Sequence, residues 1–208
     1  MLTAFTAGLT LITAAELGDK TFFISLCLAM RYPRRWVFIG AMLALIAMTL
    51  ISVLMGQVLS LLPPIVTRWS VIGLFVFFGI KLLYDAYKMS PKQGIACETE
   101  AEQDAIADVN QMTASLGKAG VGGLLTKTFV MTFLAEWGDR TQIATASLAA
   151  KYDAIGVTLG AIVGHGICAA IAVVGGKLIA GRLSERWVTA AGGVLFLIFA
   201  VVTLLEPS

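Results

Sequence analysis

The chain has 208 residues, of which 58% are hydrophobic and 13% are charged, and its formal net charge is +2. Soluble domains carry about 25% charged residues, so this composition excludes an ordinary soluble enzyme. Such high hydrophobicity also excludes an intrinsically disordered chain, and so small a net charge gives no reason to expect a nucleic-acid partner. The composition predicts an integral membrane protein embedded in the lipid bilayer.

At roughly 20 apolar residues per span, the chain has room for about six transmembrane helices. The apolar segments are residues 2–30, 36–67, 69–87, 119–150, 154–176 and 187–205. The helix of the second segment is expected to stop at Pro63-Pro64, because proline cannot continue a helix. The first segment has no basic region before it and is longer than the apolar core of a signal peptide, so a retained span is expected.

Lysine and arginine are distributed unevenly between the connections. The first, third and fifth connections hold nine of them, whereas the second and fourth hold two. Because these residues favour the cytoplasmic side, the loop between the third and fourth spans is predicted to be cytoplasmic and both termini non-cytoplasmic. That loop, residues 89–117, is the one long connection and is rich in acids. It is predicted to be a solvated linker, with a cation-collecting arm as the alternative.

The sequence repeats itself after 120 residues, where Glu16–Thr21 (ELGDKT) matches Glu136–Thr141 (EWGDRT). Each half contains three predicted spans, and an odd number places the second half in the opposite orientation. The predicted fold class is therefore all-α, a polytopic membrane protein with six transmembrane helices in two inverted repeats. The first repeat covers residues 1–88, the acidic linker 89–117, and the second repeat 118–208.

Each half carries a charged cluster in the middle of its first span. The four acids are Glu16, Asp19, Glu136 and Asp139. On a continuous helix, residues three apart share a face, so the two acidic pairs are expected to converge near the bilayer midplane. Carboxylate oxygens are the ligands that hard divalent cations such as Ca²⁺, Mg²⁺ and Mn²⁺ prefer. Lys20 and Arg140 are expected to balance part of the charge and to lock the closed gates.

Without a metal, crowded carboxylates in a medium of low dielectric are expected to bind protons, because burial and like charge disfavour the ionised form. A site that holds either a metal or protons is the physical basis of metal/proton exchange. The structural alternative is that each glutamate pairs with the base four residues later and only fixes helix docking. That alternative leaves Asp19 and Asp139 without partners, at a cost of several kcal/mol each.

Neutral polar residues follow the acids and are predicted auxiliary ligands: Thr21, Ser25, Thr141, Gln142 and Thr145. The alternative is that their hydroxyls bond back to the carbonyl four residues earlier. His165 matches Leu45 in the repeat, so it is predicted to lie outside the symmetric site as a packed histidine, with a proton relay as the alternative. Gly160 and Gly164 are expected to allow close helix packing.

The duplicated Glu-x-Gly-Asp-(Lys/Arg)-Thr motif resembles the hallmark of a known family. The family comprises the manganese/calcium:proton exchangers of Golgi membranes, chloroplasts and cyanobacteria, within the lysine-exporter superfamily. Both motif copies are complete, at 16–21 and 136–141, and look most like those of cyanobacterial and plastid members. The resemblance implies export of Mn²⁺, with Ca²⁺ also open, from the cytoplasm in exchange for protons. It implies an inner (cytoplasmic) or a thylakoid membrane.

Other functions stay open at this point. A passive divalent cation channel would use the same acids without depending on a pH gradient, and an exporter of a small cationic solute would need fewer acids. An enzyme is not expected, because the sequence offers no histidine-rich cluster and no serine nucleophile motif. No resident cofactor is expected, and a homo-oligomer is left open.

Overall fold

The structure is a computed structural model that describes residues 1–17, 19–88, 107, 109–111, 120–179 and 185–205. Eight helices account for most of these residues, and no strand occurs among them. The helices are α1 (Leu2–Glu16), α2 (Lys20–Arg31), α3 (Arg34–Leu59), α4 (Pro64–Lys88), α5 (Val121–Glu136), α6 (Arg140–Lys151), α7 (Ala154–Ile179) and α8 (Glu185–Leu205).

Three stretches of the described helices are long and apolar enough to cross a membrane: α3, α4 and the Ala154–Gly175 part of α7. Two shorter apolar helices accompany them, α1 and the Thr189–Leu205 part of α8. The predicted class, an all-α membrane protein, is confirmed. The helix stop predicted at Pro63-Pro64 is also present, because α3 ends at Leu59 and Pro64 opens α4, a position where proline is well tolerated.

The first and fourth predicted spans are each broken into two helices at the charged cluster. α1 and α5 end at the motif glutamate, and α2 and α6 begin at the motif base. The prediction of a continuous helix through each cluster is therefore wrong. Leu17 and Trp137 have extended backbone with ψ of 121° and 115°, and Gly138 has a φ of +79°. Only glycine adopts that left-handed conformation without a steric cost; Gly18 lies outside the described residues.

Helices from the first half of the chain pack against helices from the second half. α1 contacts α7, α3 contacts both α5 and α6, and α4 contacts α8. Gly160 of α7 lies against the backbone of Phe5 and Leu9, and Gly40 of α3 lies against the carbonyl of Leu125. A side chain at either glycine would meet the neighbouring backbone, so the close packing predicted at Gly160 is confirmed.

The directions of the packed helices follow from their end contacts. α1 runs parallel to α7, because the start of α1 at Ala4 meets the start of α7 at Gly156. α4 runs antiparallel to α8, because Arg68 near the start of α4 donates a hydrogen bond of 2.7 Å to the carbonyl of Leu204 near the end of α8. The third helices of the two halves therefore point in opposite directions.

The acidic linker predicted over 89–117 lies mostly outside the described residues. Of its described part, residues 109–111 are helical, and Val109 is buried in an apolar cluster with residues of α2, α3 and α5. Arg31 also donates a hydrogen bond of 2.6 Å to Asn110. Val109 therefore packs on the helices, whereas residues 107, 110 and 111 are exposed, and the solvated linker stays a prediction for the rest of the segment.

Candidate cation site

Both motif glutamates are buried where a helix ends, and each is held by the motif threonine. Glu16 and Glu136 are both 2% exposed. Thr21 Oγ1 donates to Glu16 Oε1 at 2.9 Å, and Thr141 Oγ1 donates to Glu136 Oε2 at 2.9 Å. A carboxylate is disfavoured at the carboxyl end of a helix, so each glutamate depends on donors from the first turn of the helix that follows.

The motif aspartates lie at the amino termini of helices, whereas the glutamates lie at carboxyl termini. Asp19 and Asp139 occupy the residue before α2 and α6, with extended backbone at ψ 169° and 166°. Asp139 Oδ2 accepts a hydrogen bond from the backbone N–H of Thr141 at 3.4 Å. Because a helix amino terminus favours negative charge, the break allows two carboxylates to lie at helix amino termini.

Arg140 connects the two halves of the protein. Its Nη2 lies 3.3 Å from Asp19 Oδ1 and donates a hydrogen bond of 3.0 Å to the carbonyl of Ala15. The base of the second motif therefore neutralises an acid of the first motif. Lys20 takes the equivalent position at the start of α2. The structural alternative treated each motif as a separate pair on one helix, whereas the Arg140 contact runs between the halves.

Three of the four predicted acids come together in space. One carboxylate oxygen each from Glu16, Asp19 and Glu136 lie within 4.8 Å of one another. Among the described residues, Glu16 Oε2 and Glu136 Oε1 are buried without a hydrogen-bond partner. Asp139 is not one of these three, and it lies beside them on the wall of a cavity. The breaks, and not a shared helix face, bring the acids together.

The predicted auxiliary ligands are engaged in different ways. The hydroxyls of Thr21 and Thr141 hold the glutamates, whereas Thr145 Oγ1 bonds back to the carbonyl of Thr141 at 2.8 Å. Gln142 Oε1 accepts a hydrogen bond of 2.7 Å from the backbone N–H of Gly138, so it stabilises the break. Ser25 is buried on α2.

His165 lies against the site, contrary to the prediction that placed it outside. It is 4% exposed, and its Nδ1 is 3.7 Å from Glu16 Oε2. In the described part of the molecule this Nδ1 has no hydrogen-bond partner. The repeat comparison missed His165 because its counterpart Leu45 is apolar. The signal in the sequence was a lone histidine in the middle of an uncharged span, a position where ionisable residues are expensive.

A cavity of about 220 Å³ reaches the acids from one side. Its wall consists of Asp19, Gly138, Asp139 and Arg140 from the motifs, and of Phe78, Lys81, Leu82 and Asp85 from α4. The two glutamates are not on this wall and are almost fully buried. Asp19 therefore borders the cavity and also lies within 4.8 Å of the glutamate oxygens. The α4 residues lie outside the repeated motif, so the repeat does not predict them, although Lys81 and Asp85 are the two charges within the apolar segment 69–87.

A family model described as the divalent cation/proton antiporter GDT1 matches residues 4–90 and 124–208. The chain belongs to the GDT1 family. Like other GDT1 proteins it is therefore a membrane transporter, a divalent cation/proton antiporter and not an enzyme, and the family resemblance expected from the duplicated motif is confirmed.

The similarity to individual GDT1-like proteins extends over nearly the whole chain. A GDT1-like protein of the cyanobacterium Synechocystis is 53% identical over 98% of this chain and 97% of the relative. GDT1-like protein 3 of Oryza sativa is 40% identical over 98% of this chain and 74% of the relative. GDT1-like protein 5 of Arabidopsis thaliana is 38% identical over 100% of this chain and 97% of the relative. No solved structure matches the chain.

Proposed function

We propose that the protein exports Mn²⁺ from the cytoplasm in exchange for protons, and that the carboxylates of the two motif copies bind both. One observation carries the proposal. Carboxylate oxygens from both halves of the chain, on Glu16, Asp19 and Glu136, lie within 4.8 Å of one another. Such a set of hard oxygen ligands suits a divalent cation. Asp139, on the cavity wall beside them, is the fourth acid of the site.

The burial of the glutamates supports exchange over permanent binding. An isolated ionised carboxylate is very expensive to bury and must be neutralised. Glu16 and Glu136 each have a buried oxygen without a hydrogen-bond partner in the described part of the molecule. A divalent cation neutralises the acids in one state and protons neutralise them in the other. Each transport cycle therefore exchanges metal for protons, while Lys20 and Arg140 balance the remaining charge.

Alternating access follows from movement between two inverted halves, residues 1–88 and 118–208. The antiparallel packing of α4 and α8 supports this relation, as do the equivalent threonine–glutamate hydrogen bonds in the two motifs. The contact of Arg140 with Asp19 closes the site between the halves. We expect this ion pair to separate when the acids receive a cation from the cavity.

His165 favours Mn²⁺ over Ca²⁺ as the transported ion. Ca²⁺ takes oxygen ligands, whereas the His165 Nδ1 places a nitrogen 3.7 Å from Glu16 Oε2. We expect His165→Gln to lower the ratio of Mn²⁺ to Ca²⁺ transport several-fold, measured by competition between the two ions in reconstituted vesicles. An unchanged ratio would show that His165 does not contribute to the selection of Mn²⁺ over Ca²⁺.

The test of the whole proposal is Mn²⁺ uptake into proteoliposomes with and without an imposed pH gradient. With an acidic lumen, protons leave as Mn²⁺ enters, so the gradient should accelerate uptake, and an ionophore that collapses the gradient should abolish the acceleration. A passive channel would carry Mn²⁺ at the same rate with or without the gradient. In an exporter of a small cationic solute, excess lysine would compete for the site and inhibit Mn²⁺ uptake. We expect lysine to have no effect on Mn²⁺ uptake by this protein.

A further inference from the structure

The cavity beside the acids is asymmetric in a way that the repeat does not predict. Its α4 wall carries one base and one acid, Lys81 and Asp85, together with Phe78 and Leu82. Arg68-Trp69 near the start of α4 matches Arg186-Trp187 near the start of α8. In that register Phe199 and Thr203 of α8 correspond to Lys81 and Asp85 of α4. Phe199 packs against the apolar core and Thr203 is buried. Among the described residues, α4 therefore presents charges to this cavity and α8 does not.

The charged groups in and near the cavity differ in how deeply they are buried. Lys81 is exposed, and Asp85 is half-buried, as are Asp19 and Asp139 on the wall of the same cavity. The glutamates are almost fully buried and are not part of that wall. The cavity therefore borders three half-buried carboxylates, two of which belong to the motifs.

The end of α4 leads into the loop that the lysine and arginine distribution places in the cytoplasm. Five of the eight residues that line the cavity are charged, and a cleft set in a medium of low dielectric concentrates the field of the charges that line it. An acid at its mouth raises the local concentration of a divalent cation, and a base lowers it. A cation that enters along α4 therefore meets both effects before it reaches the motif carboxylates.

We propose that this cavity is the cytoplasmic entrance for the transported cation and that Asp85 and Lys81 control its rate of entry with opposite signs. The proposal rests on the proposed antiport function. It makes α4 the helix that selects cations at the cytoplasmic entrance, and it gives the opposite entrance, next to α8, no such charge pair. The two residues act on entry and not on the bound state, so they should change uptake at low ion concentration more than the maximal rate.

The experiment is initial Mn²⁺ uptake at subsaturating and saturating Mn²⁺ in proteoliposomes with a pH gradient. We expect Asp85→Asn to lower the subsaturating rate about three- to tenfold, because a divalent cation loses the attraction of one full charge at close range. Lys81→Gln should raise the same rate about threefold. The double variant should return close to the wild-type rate, and the saturating rates should change less than twofold.

Lys88→Gln is the matched control. Lys88 lies on the same helix and its Nζ stacks over the ring of Tyr84 at 4.4 Å, but it does not line the cavity. Because its ammonium lies over Tyr84 and off the cavity wall, Lys88→Gln should raise the subsaturating rate less than Lys81→Gln does. The opposite effects of Asp85→Asn and Lys81→Gln should shrink as salt is raised.

Rates that change in the same direction for both variants, or that do not change, would overturn the proposal. Lys81 is exposed, so Lys81→Gln should fold normally and decides the question even if Asp85→Asn is unstable. Failure of the antiport proposal can be distinguished from failure of the entrance proposal. In that case the wild-type protein would take up Mn²⁺ without dependence on the pH gradient. In a chain whose three native cysteines are replaced by serine, labelling of an Asp85→Cys variant by a membrane-impermeant cationic thiol reagent should occur from the cytoplasmic side. Labelling from the other side alone would also contradict the assigned entrance.

Discussion

At the scale of single residues, the two motif copies hold their glutamates in the same manner. In each copy a threonine five residues later donates a hydrogen bond of 2.9 Å to the carboxylate. The same residue types at the same spacing therefore produce the same local contact twice. The repeat alone predicts that the two contacts are alike. It does not predict that a helix break separates the threonine donor from the glutamate acceptor.

The Asp139→Asn variant tests whether transport needs the negative charge of Asp139, because it should leave the fold unchanged. Asparagine caps a helix about as well as aspartate, so the capping bond to the Thr141 N–H should persist while the negative charge is lost. We expect Mn²⁺ uptake to fall at least tenfold, with thermal stability within about 0.5 kcal/mol of the wild type. Asp153→Asn is the control, because Asp153 also caps a helix through the N–H of Gly156 at 2.8 Å. Wild-type uptake by Asp139→Asn would show that its charge is not needed.

Thr141→Val tests the donor to Glu136. The substitution preserves the side-chain shape and leaves a buried carboxylate oxygen without its partner, at a cost of about 1–3 kcal/mol. We expect the apparent Mn²⁺ affinity to fall about tenfold, measured from the concentration dependence of uptake. Thr49→Val is the control, because the hydroxyl of Thr49 is buried and donates only to the carbonyl of Leu45, at 2.8 Å. Equal losses in the two variants would assign the effect to general destabilisation.

At the scale of elements, the helix breaks determine which kind of helix terminus each acid of the candidate site occupies. A continuous helix would place both acids of a motif on one face and would give neither of them a helix terminus. The break instead gives Asp19 and Asp139 the amino termini of α2 and α6. It also leaves Glu16 and Glu136 as the last residues of α1 and α5. The motif places a glycine between the acids, and glycine weakens a helix, but one glycine alone does not predict a complete break.

Gly138→Ala tests the break directly. Gly138 has a φ of +79° and nothing within 4 Å of the position of an added Cβ, so the cost comes from the backbone conformation alone. We expect a loss of about 1–2 kcal/mol, seen as a lower melting temperature in detergent, together with reduced transport. Gly73→Ala is the matched control, because Gly73 also has open space around it but lies within α4. There alanine should stabilise the helix by up to about 1 kcal/mol. A loss of the same size in both variants would contradict this account.

At the scale of the whole molecule, the halves are interleaved and not side by side. Each half contributes a first helix that packs on the middle helix of the other half, α1 on α7 and α5 on α3. The ion pair of Arg140 with Asp19 also crosses between the halves. A site built in this way exists only in the assembled protein, since neither half contains its complete set of acids.

The predicted orientation has a direct test by reporter fusions. Lysines and arginines concentrate in the odd-numbered connections, so both termini should lie outside the cytoplasm. A periplasmic alkaline phosphatase fused after residue 208 should be active in bacteria, and a fluorescent protein at that position should stay dark. The same reporters inserted near residue 100 should behave in the opposite way. A fluorescent carboxy-terminal fusion would reverse the assigned orientation.

The sequence by itself determined the membrane class and the duplication of the motif, and it predicted the four acids of the candidate site. These follow from composition and from residue types at fixed spacing, and they need no knowledge of distances. Tertiary structure decided the rest: the break at each motif, the contact of Arg140 with the other half, and the positions of His165 and Asp85. The break depends on backbone angles at single residues. The other contacts join positions on different helices, and only helix packing in three dimensions brings such positions together.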